Sequence, residues 1–266
     1  MTPRPASLQS LRAVFLSDIH LGTRECQAER LLDFLESVKT ESLYLVGDII
    51  DLWAFRGGFY WPATHAAVLR AILAKARSGT RVVYIPGNHD ASCREFCRQL
   101  LAGIEVHREC IHETLDGRRL LVLHGDEFDA AVKCGPVMAL LGTQLYDLFL
   151  RWGYRLNRVR RAFGLGHWSL VTWLKSRVGN VRRHVERFER AAASEAARRA
   201  LDGIVCGHIH RPAMSDRDGI LYCNDGDWVE HATTLVEDAQ GTLCLWVWPE
   251  SSFMPQSLTP VMREAA

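Results

Sequence analysis

Five short polar motifs, each at the end of an apolar run, constrain this chain more than any other feature. The runs at 11–17 (LRAVFLS), 43–47 (LYLVG) and 81–86 (RVVYIP) have the length and composition of buried strands. They end at Asp18-Ile19-His20, Gly47-Asp48 and Gly87-Asn88-His89-Asp90. A run over 119–123 ends at His124-Gly125-Asp126, and residues 201–206 (LDGIVC) end at Gly207-His208-Ile209-His210. Helical spacing alternates with the first strands: at 26–39, where Leu31, Leu32, Leu35 and Val38 share a face, and again over about 64–77 and 92–102. Alternating strands and helices predict an α/β fold, whose chemistry collects at the carboxyl ends of strands. One site can therefore gather all five motifs.

After Gly103 the pattern changes to apolar runs at 104–115 and 119–123, joined by Asp116-Gly117, a strong hairpin signal. Residues 219–223, 230–236 and 242–248 read as the last strands of a sheet. The stretch 127–200 shows no strand pattern and reads as helices with glycine joints. It holds fourteen Lys or Arg against six Asp or Glu, together with Trp152, Trp168 and Trp173. The expected organisation is a core of 1–126 and 201–266 with 127–200 inserted as a helical cap. A chain of 266 residues, 48% hydrophobic and 24% charged, suits one large domain with an insertion. Its net charge of only +1 argues against nucleic acid as a partner, except through a local basic surface such as this insertion.

Eight cysteines without a C-x-x-C pair read as reduced residues of a cytosolic protein. Cys93 and Cys97 lie four apart on the expected helix, a weak pointer to redox or zinc chemistry. Met1–Ser10 lacks the pattern of a secretory signal, and no run of about 18 apolar residues occurs. A cytoplasmic location is the expectation.

Two divalent cations held close together need ligands of mixed hardness and a carboxylate that reaches both. Each motif alone is weak, since a D-x-H or H-x-H tripeptide is more often a loop acid or a satisfied core histidine. All five together, each after a strand, supply a full ligand set.

The ordered set D-x-H, G-D-x-x-D, G-N-H-D, H and G-H-x-H resembles the calcineurin-like metallophosphoesterase family over 11–248 outside the insertion. The resemblance implies a four-layer α/β/β/α sandwich with an inserted helical cap. It places Asp18, His20, Asp48 and His210 on one metal, and Asp48, Asn88, His124 and His208 on the other, with Asp48 bridging. It makes His89 the histidine that touches the scissile phosphate and protonates the leaving oxygen, with Asp51 holding its imidazole. Asn88 would also meet the substrate. The implied reaction is in-line attack on phosphorus by a metal-bridging hydroxide. Asp51 is also legible as the N-cap of the next helix. Asp126 and Asp227 are candidate acceptors for the second ring nitrogens of ligand histidines, or surface acids. Mn²⁺ is the first expectation, and the same ligands suit Fe or Zn²⁺.

The segment Tyr222–Glu230 and the insertion between His124 and His208 resemble the bacterial group containing UDP-2,3-diacylglucosamine diphosphatase of lipid A synthesis. That resemblance implies a lipid-linked nucleotide substrate, hydrolysis of a pyrophosphate bond and release of UMP. Arg158 and Arg161 would hold the diphosphate, and Trp168 would line an acyl pocket or touch the inner membrane peripherally. The same aromatics also read as the cap's own core. That group carries Arg after the Asn of its third motif, whereas this chain has His89. A phosphodiesterase or nuclease of the same family therefore stays open. So does a scaffold without activity, although scaffolds of this fold typically lack a ligand or the histidine, and none is missing here.

Overall fold

The structure, a computed structural model, describes residues 9–130, 179–249 and 256–258. The chain divides into two compact units, Met1–Asp126 with Ala192–Ala266, and Glu127–Ala191. In chain order the first unit begins with β1 (Gln9–Leu16), α1 (Ala28–Ser37), β2 (Val38–Val46), α2 (Ala63–Arg77) and β3 (Arg81–Ile85). It continues through β4 (Leu100–Leu101), β5 (Ile104–Val106), β6 (Cys110–Glu113) and β7 (Arg119–Val122). Helix α3 (Gly179–Arg198) runs from the second unit back into the first. The last strands are β8 (Gly203–Cys206), β9 (Ala213–Arg217), β10 (Ile220–Asn224), β11 (Thr233–Asp238), β12 (Leu243–Val247) and β13 (Gln256–Leu258).

Eight strands form one sheet in the order β13-β12-β11-β1-β2-β3-β5-β4, and five form a second in the order β6-β7-β8-β10-β9. Alternation along the central strands sorts the core into two layers. Val14 and Leu16 of β1, with Leu43 and Leu45 of β2, pack toward Leu31, Phe34, Val68 and Ile72 of α1 and α2. The intervening Ala13, Phe15, Tyr44 and Val46 face the second sheet and meet Leu120, Val122, Val205 and Cys223. Phe15 and Tyr44 stack there with ring centroids 4.7 Å apart. The far face of the second sheet buries Leu121, Ile204, Cys206 and Tyr222. The result is an α/β sandwich. Each such buried apolar side chain contributes roughly 1.5–3 kcal/mol.

A buried polar network also ties the two sheets together. The His112 ring, kept neutral because burial pushes it down, lies 2.8 Å from Glu237 and 3.1 Å from the Tyr44 hydroxyl. Glu237 also accepts the Leu115 N–H at 2.7 Å and the Arg12 guanidinium at 3.2 Å.

The fold corrects two expectations. The helix expected over 92–102 is a 3₁₀ turn (Ala91–Phe96) followed by β4, because Arg98 N–H donates to Val106 O and Val106 N–H to Gln99 O, drawing the segment into strand pairing. Its apolar spacing misled because Leu100 and Leu101 point to solvent, at 68% and 42% exposure. The run at 104–115 is two strands in different sheets, broken at 107–109, and only the second forms the hairpin with β7.

Candidate metal centre

Asp18 and His20 follow β1, Asp48 and Asp51 follow β2, Asn88 and His89 follow β3, His124 follows β7, and His208 and His210 follow β8. Central strands of both sheets thus aim their carboxyl ends at one place. The backbone there is unusual. Asp18, His20, Asp48, His208 and His210 all have left-handed φ, between 49° and 69°. Each such residue is strained by about 1 kcal/mol or more, and strain of this kind clusters at functional sites. Neighbouring strand ends hold it: Asp18 N–H donates to Gly47 O at 3.0 Å and His20 N–H to Asp48 O at 2.9 Å. The motif glycines are sterically required. A Cβ at Gly87 would overlap Asp48 Oδ1, one at Gly47 the His124 ring, and one at Gly207 both Ser17 and Asp18.

Among the described residues the side chains gather in three groups: Asp18 with His20 and His210, Asp48 with His124 and His208, and His20 with Asp51 and His89. The first two are the clusters that match the expected ligand sets. In the first, His210 Nε2 lies 3.0 Å from Asp18 Oδ1 and 3.4 Å from His20 Nε2. In the second, His124 Nε2 lies 3.4 Å from Asp48 Oδ2 and 3.2 Å from Asn88 Oδ1. Asp48 Oδ2 is also 3.9 Å from His20 Nε2, so one carboxylate borders both clusters.

The outer nitrogens are fixed by the protein. His124 Nδ1–H donates to Val46 O at 2.9 Å, and His20 Nδ1–H donates to Asp51 Oδ2 at 3.0 Å, which leaves Nε2 of each as a ligand atom. Asp51 Oδ2 also holds His89 Nδ1 at 2.9 Å, while its Oδ1 accepts the Ala54 N–H at 2.8 Å. The expected partner role and the capping role therefore coexist in one side chain. Trp53 lies against the His89 ring at 4.2 Å.

Burial pushes Asp18 up and the His210 imidazole outweighs it, holding Asp18 below the ordinary carboxylate range. Burial acts the same way on Asp48, and His124 and His20 overcome it to hold that carboxyl well down. Burial pulls His20 down, but hydrogen bonding to Asp51 and the charges of Asp48 and Asp18 raise it to about 9. His124 is likewise pulled down by burial and raised past it, chiefly by Asp48.

This donor set fits divalent cations. Asp18 Oδ1 is fully buried and, apart from the His210 ring beside it, meets no hydrogen-bond donor. Two imidazole Nε2 atoms converge on it and on each other, an arrangement that a shared cation accounts for.

Four buried residues escaped the sequence reading. Asp90 accepts N–H groups of Gly87 at 2.6 Å, Ile49 at 2.8 Å and, more weakly, Asp48 and Ile50, so it fastens the loops after β2 and β3 together. Ser17 lies 2.6 Å from both Asp18 Oδ2 and Asp225 Oδ1. Burial pushes the Asp225 carboxyl well above the ordinary carboxylate range, and the Ser17 hydroxyl between the two carboxyls ties Asp18 to the loop after β10. Asn224 donates to Gly207 O at 2.6 Å and fixes the loop carrying His208 and His210. The available signal was a polar residue inside an otherwise buried strand end, directly beside a ligand motif.

Asp126 pairs with Arg94 at 2.7 and 2.9 Å, and Asp227 holds the backbone of 229–231 and the His231 ring. Cys93 sits in the 3₁₀ turn, with Cys97 directly after it, and both are free thiols. Arg158, Arg161 and Trp168 lie outside the described residues.

The fold and the site together define a metal-dependent hydrolase of phosphoesters or pyrophosphates. The chain belongs to the calcineurin-like phosphoesterase family, whose pattern matches residues 11–212. It is 29% identical over 247 residues to the UDP-2,3-diacylglucosamine hydrolase of Xanthomonas campestris pv. campestris, covering 87% of this chain and 97% of that one. It is 27% identical over 251 residues to the enzyme of the same name from Neisseria gonorrhoeae, covering 86% and 95%. Among solved structures it is similar to Yfce, a phosphoesterase from E. coli, with a TM-score of 0.46 and 18% identity, covering 88% and 91%.

Proposed function

We propose that this protein is a dinuclear phosphoesterase that cleaves the pyrophosphate bond of a lipid-linked nucleotide of the UDP-2,3-diacylglucosamine kind, releasing UMP. The observation that carries the dinuclear reading is the Asp48 carboxylate bordering both imidazole clusters. The substrate class is supported by relatives that match nearly the whole chain and bear that name. Asp18, His20, Asp48 and His210 would hold one ion, and Asp48, Asn88, His124 and His208 the other, with Mn²⁺ the first candidate. When bound, the ion pair generates the nucleophile from water and neutralises charge developing on the phosphoryl group.

The chain's own residues do the rest. Asp51 anchors His20 and His89 through their Nδ1 atoms, so both rings are oriented by one carboxylate. His89 Nε2, 4.0 Å from Asp48 Oδ2, is then the atom that faces the reacting phosphate and delivers a proton to the leaving oxygen. Asn88 reaches the substrate from the same loop. Arg158, Arg161 and Trp168 would receive the diphosphate and the acylated sugar, in a cytoplasmic enzyme that touches the inner membrane peripherally.

His89 also favours a second reading, because the UDP-diacylglucosamine group carries Arg at that position. A phosphodiesterase of this family acting on another nucleotide or on nucleic acid would keep the histidine. A product assay with Mn²⁺ separates the two. UMP appearing from UDP-2,3-diacylglucosamine supports the first, whereas cleavage of bis(p-nitrophenyl) phosphate or single-stranded nucleic acid with no UMP release sinks it.

A further inference from the structure

The segment between Leu52 and Pro62 is the most aromatic stretch of the described surface, and the chemistry assigned above uses none of it beyond Trp53. Gly57 and Gly58 form its tip, where an added Cβ would meet nothing within 4 Å. The tip is therefore open to solvent. Phe59, directly after it, is 77% exposed. A solitary exposed phenylalanine is ordinary, but this one is built in. Its ring lies 5.1 Å from Phe55 and 6.5 Å from Trp61, and Trp61 packs on the core beneath α1 and α2. Phe55 in turn seats against Gly22, where a Cβ would collide with it, and Gly22 N–H donates to His65 at 3.0 Å. The loop is an exposed aromatic cluster held in place by its neighbours.

Arg56 is the only charged residue between Asp51 and Pro62, and Arg24 is followed by the half-buried Glu25 and the exposed Glu29. Arg56 and Arg24 are exposed, with the Arg24 guanidinium 4.4 Å over the Tyr60 ring. No Asp or Glu occurs between Asp51 and Asp90, and both of those are buried. Trp and Tyr rings flanked by arginine, around an exposed phenylalanine, are what a bilayer interface with anionic headgroups accommodates.

We propose that the 53–61 loop is a membrane-contact surface that inserts Phe59 among headgroups and sets Arg24 and Arg56 against anionic lipid. Through Trp53, which lies on His89, the contact brings the metal centre to the bilayer surface. Its purpose rests on the lipid-linked substrate proposed above, but its test needs no substrate.

The test is sedimentation of the full chain with vesicles of phosphatidylcholine alone or mixed with phosphatidylglycerol. The wild-type protein is expected to pellet with the anionic vesicles and to be released by salt. Phe59→Ser and Arg56→Glu should each weaken binding by about tenfold or more. Both should leave thermal unfolding and hydrolysis of bis(p-nitrophenyl) phosphate unchanged, and Phe59→Leu should retain most of the binding. Wild-type protein that stays in the supernatant with both vesicles overturns the proposal and points to another partner for the loop. Variants that bind as tightly as wild type overturn it as well, since the contact then lies elsewhere. Vesicle binding without UMP release would uphold the loop and remove only the substrate reading.

Discussion

His89 is the residue on which the substrate question and the chemistry meet. Its ring is held by Asp51 at 2.9 Å and faced by Trp53, yet it belongs to neither metal cluster as we assign them. His89→Ala should keep the ion content of the wild-type protein while turnover of a simple phosphodiester falls by about 10²-fold or more. Parallel metal analysis and kinetics check this, and unchanged turnover would remove His89 from its role. Asp90 makes the opposite case, a residue with no part in the reaction that several backbone N–H groups depend on. Asp90→Ala leaves those donors buried and unpaired, so denaturant unfolding should show a loss of about 3 kcal/mol or more. The residues proposed as ligands were legible as candidates in the sequence because each sits in a motif after an apolar run. Asp90, Ser17, Asn224 and Asp225 were not, since a buried carboxylate or hydroxyl that serves a loop looks like any loop residue until its partners are known.

At the scale of the element, the site is a set of strand ends whose turns exclude side chains. Gly207 makes this testable: a Cβ there would overlap Ser17 and Asp18, whereas one at Gly57 meets nothing. Gly207→Ala should lower both the melting temperature and the metal content, while Gly57→Ala should change neither. Thermal unfolding with metal analysis distinguishes a required glycine from an incidental one. The strands with three or more consecutive apolar residues, β1, β2, β3, β7, β8, β10 and β12, were readable from their sequences. The residues after Asp90 were not, because helical spacing in 92–102 came from side chains that end up in solvent, and pairing with β5 decided the outcome. Sheet order was equally hidden. That β11 lies antiparallel beside β1 is a contact between residues more than 200 positions apart, which no local pattern encodes.

The whole molecule couples its stability to protons and ions at one place. In the metal-free protein, burial pulls His20 and His124 down, yet the carboxylates around His20 raise it to about 9 and Asp48 raises His124. A raised histidine stabilises the fold fully below the free value near 6.5, and that contribution is lost as pH rises through about 9. Metal ions displace the same protons, so divalent-ion affinity should climb with pH across this window and binding should release protons. Calorimetric titration with Mn²⁺ at two pH values in buffers of different ionisation enthalpy measures both. Affinity that stays flat with pH would contradict the protonated metal-free site. Among the described residues no helix is long and apolar enough to cross a membrane.

The central claim is that Asp48 joins two ion sites into one reaction centre. Ion content at Mn²⁺ saturation, measured beside hydrolysis of bis(p-nitrophenyl) phosphate for the wild-type chain and for Asp48→Ala, tests it most directly. The account predicts two ions per wild-type chain, at most one in the variant, and loss of turnover with the second ion. A wild-type chain that saturates at one ion, or a variant that keeps two ions and full turnover, would contradict it.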